Sequence, residues 1–254
     1  MAGLSSDQVD RLVIDVYAHG GLDPARRRAV GPYRSVLVVL IYLRHNLSQA
    51  LVAELFGCSQ PTVSRLIGRL APTITTVLGD NADRVAAQQL RSTVRVDGFL
   101  APTGDRREGT YTGGMYSGKR HRCGFNIQVV GSATAGWSWS VTHSQEPRTT
   151  RKPGTLRAWP RSSAGRLHAD GGPGGFADTA YTGTGLLVPA ANPTARTSPN
   201  PPATATAPSH WASVERVIAH LKNWKLLATG YRGLLDRFPI FLVVITKLEI
   251  YRTS

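Results

Sequence analysis

The chain has 254 residues, and its 41% hydrophobic content is enough to fill the core of one large domain or two modest ones. That content excludes a disordered tail, and the presence of only two cysteines excludes a disulfide framework or a cysteine-rich zinc module. Thirty lysines and arginines against 16 acidic residues leave a formal charge of +14, which attracts phosphate polyanions. Nucleic acid is the first partner to consider, although a GC-rich coding sequence would also raise the arginine content.

The chain contains no segment that suggests a membrane span. Its longest apolar run, over residues 36–43, is far shorter than the roughly 20 residues that a membrane-spanning helix needs. The residues after Met1 lack the basic leader and the apolar core of a cleaved signal peptide. We therefore expect a cytoplasmic protein that is associated with the nucleoid.

The first third of the chain has helical periodicity, and we predict a helical domain over residues 1–80. Ser6 precedes apolar residues at helical spacing, so a first helix is expected to begin there and to end at Gly20 and Gly21. Residues 35–46 predict a second helix that is apolar almost all round and therefore buried.

Two further helices with a glycine turn are predicted over about residues 47–70. Ser48 can cap the first helix, Gly57 supplies the turn, and Ser59 can cap the second helix. In a helix-turn-helix, the amino end of the second helix presents short polar side chains to the edges of DNA bases. The residues at that end are Gln60, Thr62, Ser64 and Arg65. An αα-hairpin without a DNA role fits the helix pair alone equally well, but residues 47–65 resemble the S-Q-x-T-V-S-R recognition segment of bacterial DNA-binding proteins.

The middle of the chain has the alternation of β-strands. Residues 92–97 are a β-branched run that places Asp97 at the tip of a strand, before Gly98. Residues 125–130 and 137–141 alternate in the same way and are expected to pair with the first strand as an antiparallel meander. A basic stretch with interleaved tyrosines lies between the first two strands, and it fits either a contact with a phosphate backbone or a solvated hairpin. Its basic residues include Lys119, Arg120 and Arg122.

Two more carboxylates stand out in this acid-poor chain. Asp178 follows a short predicted strand, and Glu215 lies in a predicted helix, seven residues before Lys222. Cleavage of a phosphodiester by a two-metal mechanism needs two divalent cations about 3.5–4 Å apart, and carboxylates hold such ions. Asp97, Asp178 and Glu215 fit such a ligand set, but they also fit unrelated surface and capping acids.

Four ordered segments make the chain similar to bacterial insertion-sequence transposases of the DDE superfamily, in the branch related to Harbinger-type endonucleases. These segments are residues 96–98, 117–129, 177–181 and 214–222. They contain the family patterns V-D-G, A-D-x-x-Y and E-R-x-x-x-x-L-K, and the resemblance runs from about residue 35 to residue 252.

The resemblance implies a mixed α+β fold, in which residues 90–254 form a ribonuclease-H-like mixed β-sheet with flanking helices. Asp97, Asp178 and Glu215 would be the catalytic residues and would hold two Mg²⁺ or Mn²⁺ ions, and Lys222 would contact phosphate. The implied activity is that of a transposase. Such a protein would bind inverted repeats in double-stranded DNA, as a homodimer on that DNA, and would perform Mg²⁺-dependent strand cleavage and transfer to a target.

The chain departs from the family pattern over residues 142–169 and 190–208. The first segment lacks the P-G-S-x-H-D motif, and the second has the Ala, Pro, Thr, Ser and Asn composition of a flexible linker. Either segment is a genuine insertion or a product of translation out of frame, which would leave this copy degraded. Two other functions also stay open: a non-catalytic helix-turn-helix regulator, and a domesticated nuclease that acts with a partner protein.

Overall fold

The computed structural model describes residues 2–20, 30–79, 94–104, 116–117, 120–132, 139–144, 175–177 and 208–253. Lys119 and Asp178 lie outside these ranges, as do nearly all residues of the two segments that depart from the family pattern. The boundary that we predict between a helical and a catalytic domain, at residues 80–90, also lies outside them.

Helix α1 spans Ser6–Ala18 and begins with a capping box. The Ser5 hydroxyl accepts a hydrogen bond from the Gln8 backbone N–H (3.2 Å), and the Gln8 side chain accepts one from the Ser5 N–H (3.1 Å). The assignment of Ser6 as the first capping residue is therefore wrong by one position, because Ser5 has the extended backbone of an N-cap. The helix ends just before Gly20, as predicted.

Helix α2 spans Pro32–His45 and is buried over most of its circumference, which confirms the second predicted helix. It begins three residues earlier than expected, because Pro32 occupies the first helical position, where its missing N–H is not needed. It ends at Asn46, whose backbone is left-handed, with φ 52° and ψ 39°. Asn tolerates this conformation better than most residues.

The strands form one mixed sheet. Strands β1 (Val94–Pro102), β3 (Arg122–Ser132) and β4 (Trp139–Ser144) pair antiparallel in the order β1-β3-β4, which confirms the predicted meander. The short strand β2 (Tyr116–Ser117) pairs with the start of β3. Strand β5 (Gly175–Ala177) pairs with β1 on its other side and runs parallel to it.

Strand β1 continues through Asp97 and Gly98 as far as Pro102, so the expectation that Asp97 stands at a strand tip is wrong. Phe99 and Ala101 explain the continuation, because both are buried on the face of the strand that packs in the core. Their burial outweighs the tendency of a glycine to weaken a strand. Asp97 is therefore held in the middle of a strand rather than in a loop.

The last part of the chain is helical. Its elements are α5 (Pro208–Lys222), α6 (Lys225–Ala228), a 3₁₀ turn (Leu235–Arg237) and α7 (Phe238–Thr253). Helix α5 packs on strands β1 and β3. The spacing of its apolar residues predicts one buried helical face, and these positions are buried. These positions are Val214, Ile218 and Leu221. The apolar run over residues 238–250 predicts a closing core helix, and α7 confirms it.

Helix α7 connects the sheet to the amino-terminal helices. At its start, the Phe238 ring stacks on Phe125 of β3, with the ring centroids 4.0 Å apart and the planes inclined by 3°. Farther along, Lys247 Nζ donates a hydrogen bond to the Thr75 carbonyl (3.0 Å). The buried apolar residues of the amino-terminal helices, the sheet and the last helices consequently form one continuous cluster. Within the described ranges, none of the helices has both the length and the apolar character that crossing a bilayer would require.

Candidate nucleic-acid interface and acidic site

Helices α3 (Gln49–Phe56) and α4 (Gln60–Val77) are joined by the tight turn of a helix-turn-helix. Ser48 and Ser59 are the N-cap residues of the two helices, as predicted. Gly57 has a φ of 62°, a left-handed conformation that a glycine adopts without steric cost. The local sequence therefore fixes this turn.

Arg34 of α2 holds the carboxyl end of α3. Its Nη2 donates a hydrogen bond to the Phe56 carbonyl (3.1 Å), and its guanidinium carbon lies 5.6 Å from the centroid of the Phe56 ring. Carbonyl groups at the end of a helix lack intrahelical donors, so this contact satisfies one of them. The first helix of the motif is thus tied to the buried helix before it.

A network of polar side chains surrounds the amino end of α4. Gln60 Nε2 donates to Gln49 Oε1 over 2.7 Å, and the hydroxyl groups of Ser59 and Thr62 are 2.9 Å apart. Arg65 Nε donates to the backbone carbonyl one turn earlier (3.2 Å). Gln60 and Arg65 are exposed, whereas Thr62 is half-buried. Ser64, the remaining predicted recognition residue, is half-buried as well.

Three arginines lie around the outer face of α4, and we call them the arginine cluster: Arg65, Arg69 and Arg237, all exposed. Arg65 and Arg69 are four residues apart and therefore share one face of the helix. Arg237 comes from the 3₁₀ turn, and its Nη1 lies 3.9 Å from the point that a β-carbon on Gly68 would occupy. Of these three residues, only Arg65 is predicted from the sequence to bind DNA. The four-residue spacing could have indicated Arg69, but no local signal points to Arg237.

The hairpin between β2 and β3 is the second basic surface. Arg120 and Arg122 are exposed there, and the Arg120 N–H donates to the Ser117 carbonyl (3.1 Å), which closes the turn. His121 has a positive φ of 49° in this turn. Lys119 belongs to the same predicted set but lies outside the described residues. A contact of these residues with DNA stays a prediction.

The strands place the neighbours of two predicted catalytic acids side by side. Asp97 is half-buried, and its Oδ1 accepts a 2.6 Å hydrogen bond from the Gly98 N–H. Val96, the residue before Asp97, pairs with Ala177 in the parallel β1–β5 ladder. Ala177 is the residue before Asp178, which itself lies outside the described residues. The position of Asp178 relative to Asp97 therefore stays a prediction.

Helix α5 brings Lys222 to the face of β1 that carries Asp97. Lys222 Nζ lies 5.3 Å from the centroid of the Phe99 ring, and Phe99 shares a strand face with Asp97 because side chains alternate along a strand. Glu215 is exposed and lies two turns before Lys222, on a neighbouring stripe of the helix.

The metal site stays a prediction. Among the described residues, no group of three or more acids, histidines or cysteines is placed to hold a metal ion. The predicted set includes Asp178, which is not among them, so the triad of Asp97, Asp178 and Glu215 is untested.

The comparisons with known proteins concern only the helix-turn-helix. The chain matches no curated protein and no solved structure. Residues 31–80 match a family model described as the helix-turn-helix of DDE superfamily endonuclease, and this segment contains α2, α3 and α4 but none of the strands. The match supports the superfamily that the sequence resembles, and it gives no evidence for the Harbinger-related branch. Residues 31–80 are thus similar to the helix-turn-helix of DDE superfamily endonucleases.

Proposed function

We propose that the chain binds double-stranded DNA through the helix-turn-helix and is a transposase-type endonuclease of the DDE superfamily. The observation that carries this proposal is that the family match at residues 31–80 coincides with a complete helix-turn-helix in the structure. The recognition helix would be α4, with its amino-terminal residues in the major groove.

The charge on the outer face of α4 supports this binding mode. The three arginines of the arginine cluster are exposed, and a phosphate backbone would bind such cationic side chains. The amino end of α4 adds the positive end of a helix dipole, which also favours phosphate. Contacts of this kind would position the protein, while the polar side chains at the amino end of α4 would read bases.

Binding can be measured by fluorescence anisotropy with labelled duplexes that carry the DNA flanking the coding region. We expect inverted repeats in that DNA to be bound more tightly than a scrambled duplex of the same length. The R65A/R69A double variant should lose most of the affinity for both duplexes, because it removes two phosphate contacts. Equal affinity of wild type and double variant would contradict the use of α4 as the DNA-binding helix.

We further propose that Asp97, Asp178 and Glu215 hold two Mg²⁺ or Mn²⁺ ions in a ribonuclease-H-like domain. The paired residues before the two aspartates support this, and so does a mixed sheet covered by helices. Carboxylate oxygens are the ligands that these ions prefer. The bound ions would supply activation of the attacking oxygen and stabilisation of the leaving oxygen in strand cleavage and transfer.

The residues of the chain would have separate tasks at this site. Asp97 is carried by a paired strand, so its carboxylate would be preorganised for a metal. Lys222 would contact a phosphate of the DNA from the end of α5. The exposed position of Glu215 leaves room for DNA to approach, and a second copy of the chain would bind the other inverted repeat.

A non-catalytic DNA-binding regulator is the second candidate. The observation in its favour is that the family match ends at residue 80 and includes none of the three acids. Both candidates require DNA binding, so only cleavage in the presence of Mg²⁺ separates them.

A further inference from the structure

Gln49 and Gln60 are the first residues of the two helices of the helix-turn-helix, and their side-chain amides are joined by a 2.7 Å hydrogen bond. Gln49 is half-buried, whereas Gln60 is exposed at the amino end of the recognition helix. The hydrogen bond to Gln49 therefore fixes the position of the Gln60 amide group on the protein surface.

The hydrogen bond between the two glutamines has a defined direction, because Gln60 Nε2 donates and Gln49 Oε1 accepts. Burial raises the pKa of Tyr42, and a side-chain hydrogen bond with Gln49 acts in the opposite direction. The side chain of Gln49 thus interacts with Tyr42 of α2 as well as with Gln60 at the start of α4.

The bond to Gln49 determines what Gln60 offers to another partner. Of the two N–H groups on Nε2, one is used by Gln49, so one N–H and the Oε1 acceptor remain. In the major groove, adenine presents an acceptor at N7 and a donor at N6, which complements this pair. Guanine presents two acceptors and would place its O6 against the Gln60 oxygen.

We propose that Gln60 reads an adenine in the major groove and that Gln49 is the residue that positions its amide. The inference rests on the proposed DNA binding through α4 and names the base that one of its side chains selects. Gln49 would not need to touch DNA for this role, because it acts by fixing which edge of the Gln60 amide faces outward.

A contact with phosphate is the alternative role for Gln60. Phosphate offers only acceptors and would use a donor of Gln60 without involving its oxygen. Such a contact would change the affinity for all sequences to a similar extent, whereas base reading changes the preference at one position.

The test is selection of bound duplexes from a random double-stranded library by the full-length protein, followed by sequencing. We expect wild type to prefer adenine by about tenfold or more at one position of its site. Q60A should lose that preference while it keeps the preferences at other positions. Q49A should weaken the adenine preference at the same position. Q49E keeps an acceptor for Gln60 and should therefore retain the adenine preference, even if its overall affinity for DNA is lower. A glutamine of β3 gives a matched control, Q128A, which should leave every preference unchanged.

Thermal unfolding monitored by circular dichroism shows whether each variant is folded at the temperature of selection. A folded Q60A protein with unchanged preferences would overturn the inference, and so would a uniform loss of affinity over all sequences. Wild type could select a defined sequence in which the position whose preference Q60A loses is not adenine. That result would overturn the inference about adenine and leave the proposed DNA binding in place. Wild type that binds no duplex would overturn both.

Discussion

The side-chain amide of Asn46 donates a 2.9 Å hydrogen bond to the carbonyl of Gly230. Asn46 ends α2 directly before the helix-turn-helix, and Gly230 precedes Tyr231, whose N–H donates to the Pro102 carbonyl at the end of β1 (2.8 Å). A short path of hydrogen bonds therefore connects the start of the helix-turn-helix to the strand that carries Asp97. This path helps to hold the helix-turn-helix in place relative to the sheet.

Replacement of Asn46 should destabilise the protein in two separable steps. N46G keeps the left-handed backbone but loses the bonds to Gly230 and to the Thr229 hydroxyl, at a cost of about 1–2 kcal/mol. N46A should cost about 1 kcal/mol more, because alanine is strained at a φ of 52°. Urea unfolding followed by tryptophan fluorescence measures both changes. An alanine variant as stable as the glycine variant would show that the backbone of residue 46 relaxes.

Removal of Arg237 should weaken DNA binding without changing its sequence preference. A phosphate contact contributes about 0.9 to the slope of log affinity against log salt concentration, so R237A is expected to lower that slope by about one. Anisotropy titrations at several salt concentrations give the slope. R11A, which removes an exposed arginine of α1 outside the arginine cluster, is the control and should leave the slope as it is. An unchanged slope in R237A would place that residue outside the DNA interface.

Neutralisation of the acids should separate binding from cleavage. D97N and E215Q are expected to bind the duplex as wild type does, within about twofold, because neither residue lies in the helix-turn-helix. Their cleavage of a labelled duplex with Mg²⁺ should fall by at least about 100-fold, because each change removes a proposed metal ligand. D10N, on α1, serves as the control. If wild type binds and never cuts, the regulator is the correct alternative; if D97N cuts as fast as wild type, the assignment of Asp97 is wrong.

Glu249 is a buried carboxylate of α7 that contacts Trp224, at the start of α6, and its removal should destabilise the fold. Its side chain is 1% exposed and accepts hydrogen bonds from Trp224 Nε1 (2.9 Å) and from the Arg252 guanidinium. E249A should cost about 2–4 kcal/mol, because it leaves a buried N–H and a half-buried cation without their acceptor. E249Q keeps one acceptor and should cost about half as much.

Urea unfolding followed by tryptophan fluorescence measures these changes. E54Q neutralises an exposed carboxylate on α3 and is expected to change the free energy of unfolding by less than about 0.5 kcal/mol. Full stability of E249A would mean that solvent reaches Trp224 and Arg252 and replaces the carboxylate.

The helices and the turn of the helix-turn-helix were predictable because their causes are local. Ser48 caps a helix that begins at the next residue. Gly57 has no β-carbon and therefore adopts the left-handed backbone of the turn without a steric clash. The same holds for the buried face of α5, which follows from the spacing of its apolar residues. Two local predictions were wrong. The N-cap of α1 is Ser5 rather than Ser6, and β1 continues past Asp97 as far as Pro102.

Contacts between segments that are distant along the chain had no such local cause. Arg237 approaches Gly68 only because α7 packs against α4, and Lys222 reaches Phe99 only because α5 covers the sheet. Asp97 lies inside a strand because pairing with β3 and burial of Phe99 outweigh the glycine that follows it. Periodicity and capping specify an element from within, whereas the partners of its side chains depend on the packing of the whole core. The helix-turn-helix belongs to the first kind, and the arginine cluster and the surroundings of Asp97 belong to the second.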